Sequence, residues 1–357
     1  MKFEILTNSD PDEWDQYVSS SPYGHFMQSY AWGTFQSSMG WEPHYLILRE
    51  RETVCGAAML LSRKLPIAGG KIFYAPRGPV VDFTNIEAVR ALNSAIREYI
   101  SQENGWFMRT DPYVQECAVK KDTLASSGLN KVVRDWSYWN APKLVFWLDL
   151  QDEEDAIFKR MSSTCRNEVR KGYRNEVEFA LGGEDDLVGF CRLMAVTGQY
   201  KGVAFHDLDY FQSLFATMNR AAMVQLFTGK YKGQIITAGI SVKYGANAWL
   251  LYAASDPAHY KLRANRAQQW EMIKWARDQG CERYDFRGTA TSDPPSPDDP
   301  GYGVYKFKKG FGPEYTRLVG YYDLVNRPAL YRMFRFAEEK LLPTAYKLRT
   351  WLGERGK

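Results

Sequence analysis

Three lysines, Lys306, Lys308 and Lys309, stand among aromatic residues and glycines in Gly301-Tyr-Gly-Val-Tyr-Lys-Phe-Lys-Lys-Gly-Phe-Gly-Pro-Glu314. Fixed cations beside bare backbone can hold an anion. The alternation of Val304, Lys306 and Lys308 with Tyr305 and Phe307 predicts a short strand with Lys306 and Lys308 on one face. A solvated lysine edge that discourages strand pairing has the same pattern, so both readings stand. Upstream, the proline-rich polar run Thr289 to Pro300 predicts an exposed loop.

A second candidate is Asp111, in Arg109-Thr-Asp-Pro-Tyr113 after a predicted strand. A carboxylate there can orient or deprotonate an amine, and an Asp-Pro turn starter reads identically. The four histidines, His25, His44, His206 and His259, include no His-x-x-x-His pair, so neither a metal site nor a Ser-His-Asp relay is expected. The five cysteines are odd in number and never form Cys-x-x-Cys, which predicts reduced, buried thiols. No phosphate-binding or dinucleotide fingerprint supports phosphoryl or hydride transfer.

The 357 residues suffice for two domains, and with 45% hydrophobic and 15% aromatic residues they can fill packed cores without disulfides. The start of the chain lacks the basic and apolar regions of a signal peptide, and no window suits a spanning helix, so a cytoplasmic protein is expected. The net charge of +4 is uneven. Cations concentrate between Lys159 and Arg174, where Arg166, Arg170 and Lys171 meet only Glu168, and again after Arg317. Each cluster suits an anionic partner or an ordinary solvated helix face.

Two stretches repeat one order of elements. Tyr45–Leu48 and Val54–Met59 form a predicted hairpin, followed by a strand over Lys71–Ala75, a helix over Ile86–Gln102 and a strand over Trp106–Arg109. Val224–Phe227, Ile235–Ile240, Ala248–Ala253, a helix over Arg266–Asp278 and Arg283–Phe286 repeat that order, with Tyr252 matching Tyr74. The predicted class is α+β, a mixed α/β arrangement of two similar tandem domains with central mixed sheets, each unit resembling an acetyltransferase (GNAT) half-core, plus C-terminal helices over 329–342 and 344–352 split by Pro343. Domain one is expected over 1–146 with 313–357, and domain two over 147–312. Neither copy carries the glycine-bearing loop that would hold the pyrophosphate of coenzyme A, which disfavours an acyl-CoA enzyme.

Several segments together resemble the Fem family of aminoacyl-tRNA-dependent transferases that build the peptidoglycan bridge. They are Ser21-Pro-Tyr-Gly-His-Phe-Met-Gln28, Tyr74-Ala-Pro-Arg-Gly-Pro-Val-Val-Asp82, Asp111-Pro-Tyr113, Arg166-Asn-Glu-Val-Arg-Lys171, Gln269-Trp-Glu-Met-Ile273 and Lys306-Phe-Lys-Lys-Gly-Phe311. The resemblance is to a small member, since Tyr210 to Val224 leaves no room for the helical arm of larger ones. It implies aminoacyl transfer from aminoacyl-tRNA to the stem-peptide amine of lipid II or UDP-MurNAc-pentapeptide. Neither metal nor cofactor is implied, and DNA is not an implied partner.

By position, the resemblance implies that Lys308 stabilises the anionic tetrahedral intermediate, that Asp111 lies near the attacking amine, and that Trp106, Tyr210 and Tyr252 contact the precursor. Arg166, Arg170, Lys171, Lys306 and Lys309 would meet tRNA phosphate. At Gln36 and His206 the chain departs from the family's phosphate-binding lysine and arginine, leaving Arg77, Lys261 or Arg263 as substitutes, or a different acceptor. The alternatives are aminoacylation of another amine, such as an antibiotic or peptide, and a non-catalytic precursor- or RNA-binding module. For the C-terminal helices, contact with the inner membrane surface and packing on domain one are both open.

Overall fold

The computed structural model describes residues 3–7, 10–65, 69–132, 142–201, 206–288, 293, 295–299 and 301–341. The first part of the chain contains β1 (Phe3–Thr7), α1 (Pro11–Ser20), α2 (Tyr30–Ser38), β2 (Glu42–Glu50), β3 (Thr53–Lys64), β4 (Lys71–Ala75), β5 (Val80–Val81), α3 (Ile86–Gln102), β6 (Gly105–Thr110), α4 (Ala118–Ser126) and β7 (Asn130–Lys131). Then come β8 (Leu144–Asp149), α5 (Glu154–Arg160), α6 (Ser163–Arg174), β9 (Glu178–Gly182), α7 (Leu187–Lys201) and α8 (Leu208–Arg220). The second hairpin and its sequel are β10 (Val224–Tyr231), β11 (Gln234–Tyr244), β12 (Asn247–Ser255), α9 (Ala264–Asp278) and β13 (Arg283–Gly288). The chain ends its described course with α10 (Tyr302–Lys309), β14 (Glu314–Arg317), β15 (Tyr322–Val325) and α11 (Pro328–Phe336), which runs into a π-helical turn over Ala337–Leu341.

Two mixed sheets result. The first runs β1-β2-β3-β4-β6-β15-β7, with β5 beside β3, and the second runs β14-β8-β13-β12-β11-β10-β9. Each has one parallel pair, β4 with β6 and β12 with β13, joined by the helices α3 and α9. This is the duplicated hairpin, strand, helix and strand order that the sequence predicts. The boundary expected at 313 shifts: β14 pairs with β8 in the second sheet, and the chain re-enters the first only at β15, antiparallel to β6. The C-terminal helix expected over 344–352 lies outside the described residues.

Alternation along β3 explains how the layers meet. Ala57, Met59 and Leu61 point into one apolar cluster, while Ala58 and Leu60 point into another. The strand is therefore apolar on both faces, as a strand covered on both sides must be. The second cluster lies under α3, whose Ala88, Val89, Leu92, Ile96 and Ile100 form its buried stripe. The first is shared by both halves: Trp14, Phe26 and Phe35 join Phe211, Leu214, Ile240 and Trp249. Deleting one such buried phenyl side chain costs about 3–5 kcal/mol.

The lysine-bearing segment is helical, which corrects the strand expectation. Val304, Phe307, Lys308 and Phe311 have the spacing of one helix face, and Phe311 and most of Lys308 are buried. Tertiary packing overrides the weak helix propensity of a glycine-flanked eight-residue segment. Arg266 lies over the Phe307 ring at 4.1 Å and donates to the Phe307 carbonyl at 2.5 Å, fixing α10 against α9. Lys306 and Lys308 consequently point in different directions. Lys306 covers Tyr302 and Lys309 covers Tyr305, each one turn back on the exposed side.

Candidate active site at the seam of the two sheets

The register of the β12 and β13 pair is confined to Asn247–Trp249 against Arg283–Asp285, after which the strands part. The carboxyl ends of parallel strands at such a parting form a natural ligand crevice. On its other side, β13 inserts one extra residue against β8: Asp285 faces Trp147 and Gly288 faces Val145. This β-bulge contains Arg287, whose φ of +59° is left-handed. Bulges re-aim side chains, and a left-handed non-glycine residue needs support from its surroundings.

That support is present on three sides. Asp285 Oδ1 accepts the Arg287 N–H at 2.5 Å, and its Oδ2 accepts from Tyr113 Oη at 2.9 Å and Trp147 Nε1 at 3.1 Å. Lys308 Nζ, brought in by α10, donates to the Phe286 carbonyl at 2.6 Å and to the Gly288 carbonyl. A Cβ on Gly288 would stand 2.7 Å from the Pro142 side chain, so only glycine closes the seam there. The Arg287 side chain reaches across the parting to the Leu251 carbonyl at 3.4 Å.

The first sheet contributes a buried ion pair. Arg77, also left-handed at φ +58°, lies 3.3 Å from Asp111 Oδ2 and donates through Nη2 to the Pro142 carbonyl at 2.8 Å. Asp111 is 1% exposed; its Oδ1 accepts from Tyr74 Oη at 2.9 Å and from the Arg77 N–H at 3.1 Å, whereas Oδ2 accepts no hydrogen bond among the described residues. Burial pushes the Asp111 carboxyl up to about 6, with Arg77 and its backbone N–H pulling the other way. Contacts thus run from Asp111 through Arg77, Pro142 and Gly288 to Lys308. His25 is packed among Phe26, Tyr113 and Trp249, and burial beside Arg77 and Arg287 keeps its imidazole neutral.

Four residues expected at the precursor side come together around α8. Tyr210 Oη and Tyr252 Oη are 3.0 Å apart, and His206 stacks on Tyr210 at 3.6 Å. Phe35 of α2 meets the Tyr210 ring edge-on at 5.2 Å, which places Gln36 on the helix alongside. Burial lowers the pKa of His206, so the position lacks a standing cation. Trp106 lies elsewhere: it is the second residue of β6, near the end opposite Asp111, and is buried with Ile72 and Phe107 beneath Leu330, Tyr331 and Phe334 of α11.

The expected tRNA-facing cations divide. Arg166 donates to the Lys159 and Met161 carbonyls and closes the corner between α5 and α6. Arg170 covers Phe158 at 5.2 Å. Lys171, Lys306 and Lys309 are exposed. Of the proposed substitutes for phosphate binding, Arg77 is committed to Asp111, and Arg263 lies 3.4 Å from Glu168.

Sequence reasoning missed Asp285 and Arg287. The available signal was their position in Tyr284-Asp-Phe-Arg-Gly288, at the end of the second unit's last strand, where a glycine follows two opposite charges.

The chain is 27% identical over 340 residues to the UDP-N-acetylmuramoylpentapeptide-lysine N(6)-alanyltransferase of Weissella viridescens, covering 92% of this chain and 98% of that protein. It is 22% identical to the lipid II:glycine glycyltransferase of Staphylococcus aureus (strain MRSA252), covering 94% and 96%. Among solved structures, FemX superposes with a TM-score of 0.85 over 92% of this chain and 99% of its own, at 21% identity. A tandem GNAT protein from the clavulanic acid pathway reaches 0.56 over 91% and 99% at 11% identity, sharing the fold. With residues 9–229 and 219–339 matching its pattern, the chain belongs to the FemAB family.

Proposed function

We propose that this protein is a tRNA-dependent aminoacyltransferase that moves an amino acid from a charged tRNA onto the stem-peptide amine of a peptidoglycan precursor, forming an interpeptide bridge. The observation that carries the reading is Asp111 Oδ2, a buried acceptor to which no described residue donates a hydrogen bond. The atom has the charge of Arg77 at 3.3 Å but no hydrogen-bond donor, and an incoming amine can supply one. The two named transferases support the same chemistry.

In the step proposed, the amine attacks the ester carbonyl and the C–N bond forms as the carbonyl electron pair becomes an oxyanion. Collapse breaks the C–O bond to the ribose. The amine proton passes to Asp111 and ends on the released ribose hydroxyl. Lys308 stabilises the oxyanion through its field, since its Nζ also holds the backbone of the bulge. The ester supplies the free energy, and the seam supplies proximity. In this reading domain one, with β15 and α11, holds the precursor, and domain two presents the tRNA end.

No helix among the described residues is long and apolar enough to cross a membrane. Arg332, Met333 and Phe336 form an exposed mixed stripe on α11, which favours contact with an anionic lipid surface for a lipid-linked acceptor. The test of function is to incubate the protein with mixed charged tRNAs and either lipid II or UDP-MurNAc-pentapeptide. A product heavier by one aminoacyl residue is expected; no mass change with either acceptor refutes the proposal.

A further inference from the structure

Among the described residues no carboxylate meets the guanidinium of Arg287, and Asp285 acts on it only from the backbone side. Among the described residues its guanidinium forms no ion pair, and its sole hydrogen bond is the long one to the Leu251 carbonyl at 3.4 Å. A guanidinium carries five donors, so most of its capacity is unspent. Its surroundings penalise the charge: burial lowers its pKa most, Tyr252 opposes that, and the like charge of Arg77 lowers it further against Asp285. The residue as a whole is nonetheless only partly buried, and it stands where β12 and β13 part.

The local backbone is built to present this group. The extra residue of the bulge, the left-handed φ, the Asp285 carboxylate on its N–H and the Lys308 ammonium on both flanking carbonyls converge on one residue. A left-handed arginine costs of order 1–2 kcal/mol relative to glycine, and an unpaired desolvated charge costs more. Strain and desolvation combined at one residue of the crevice point to a ligand of opposite charge. Tyr210 and Tyr252, whose hydroxyls lie 3.0 Å apart beside it, add neutral donors, and His206 and Gln36 adjoin them without a standing cation.

We propose that Arg287 is the anion receptor of the acceptor site, its guanidinium fork and the neighbouring tyrosine hydroxyls taking an oxyanion of the precursor, either phosphoryl or peptide carboxylate. The proposal rests on the acceptor named above and gives Lys308 a second task, as the positioning residue that sets the Arg287 backbone.

The test compares the full chain with its Arg287→Gln, Arg287→Lys and Arg287→Gly variants. Calorimetry would measure binding of UDP-MurNAc-pentapeptide, of the same nucleotide lacking the two terminal residues, and of inorganic pyrophosphate. Arg287→Gln should weaken pentapeptide binding at least tenfold, with Arg287→Lys intermediate because it keeps charge but not the fork. A loss seen with all three probes assigns the phosphoryl group; a loss confined to the pentapeptide assigns the terminal carboxylate. Arg287→Gly should also melt at a higher temperature than the parent, since it removes both strain and buried charge. Unchanged binding of all probes, or a lower melting temperature for Arg287→Gly, overturns the proposal. Effects on kcat at unchanged acceptor KM overturn it as well, because they would place the guanidinium on the transition state instead. Arg287-dependent binding of pyrophosphate without binding of either nucleotide would preserve the anion site while refuting the acceptor.

Discussion

Lys308 Nζ holds the carbonyl oxygens of Phe286 and Gly288, one on each side of Arg287. The ammonium is therefore both a charge at the proposed acyl-transfer centre and a brace for the bulge that carries the second cation. Lys308→Met should lose activity by about 100-fold or more, the scale of removing an oxyanion stabiliser. It should also lose stability, because the buried Phe286 carbonyl loses its donor at about 1–3 kcal/mol and the part-buried Gly288 carbonyl loses one at a smaller cost. Single-turnover rates measured beside thermal melts check both parts; a large rate loss with an unchanged melting temperature would show that the brace is dispensable.

Asp111 gives a pH prediction. With its carboxyl pushed up to about 6, it is ionised at neutral pH and becomes protonated as pH falls through that value. Activity that needs it as a base should decline below about pH 6, and Asp111→Asn should remove that limb of the profile. The stability effect has the opposite sign to that of an ordinary salt-bridged carboxylate. Between the unperturbed 3.8 and about 6 the folded state holds a proton that the unfolded chain releases, so this contribution to stability falls as pH rises through the window. A kcat/KM profile that stays flat well below that window's upper end would remove Asp111 from the proton path.

Much of this arrangement was legible in the sequence because it follows from periodicity. The duplicated hairpin and the helix over Ile86–Gln102 are local patterns, and a packed core rewards them directly. The lysine segment was misread because in eight residues a period of two and a helical face both fit; Phe311, beyond the alternation, is what makes the helical face continuous. The Arg287 bulge could not be read at all. It is specified by partners on three other elements, Tyr113, Trp147 and Lys308, none of which is near it in sequence.

The exposed cations of α6 and α10 predict a salt dependence. Lys171, Lys306 and Lys309 are exposed, and if they meet tRNA phosphates as proposed, removing each one should lower the slope of log affinity against log salt by about 1. Their triple replacement by glutamine should flatten that slope without changing the fold. Arg166→Gln should behave differently, destabilising the protein, because Arg166 is spent on the Lys159 and Met161 carbonyls. Filter binding across a salt series and thermal melts separate the two classes.

Gly172 sets how closely α6 approaches α9. A Cβ there would lie 2.7 Å from Ala267 Cβ and 2.9 Å from the Arg263 carbonyl. Gly172→Ala should therefore push the helices apart at a cost of about 1–3 kcal/mol, typical of overpacking. Because α6 carries Lys171 and α9 holds α10 through Arg266, tRNA affinity should fall with it. A melting temperature equal to that of the parent would mean that the helices part without strain.

The last prediction concerns Arg109 and the position of Trp106. Arg109 is buried and forked onto Asp323, Nε to Oδ1 and Nη2 to Oδ2 both at 2.8 Å, and it also binds Glu338 beyond α11. Tyr331 Oη on α11 donates to the same Asp323 at 2.9 Å, and Arg335 reaches Glu338 at 2.9 Å. Removing one member of a buried ion network leaves its partners desolvated, at about 3–5 kcal/mol. Arg109→Met should thus release α11 from β6, seen as faster tryptic cleavage at the exposed Arg327 and Arg332. Since Trp106 lies under α11, at the far end of β6 from Asp111, Trp106→Phe should lower stability while leaving the acceptor KM unchanged. A raised KM in a variant that melts normally would instead put precursor against α11, and would require α11 to lift during turnover.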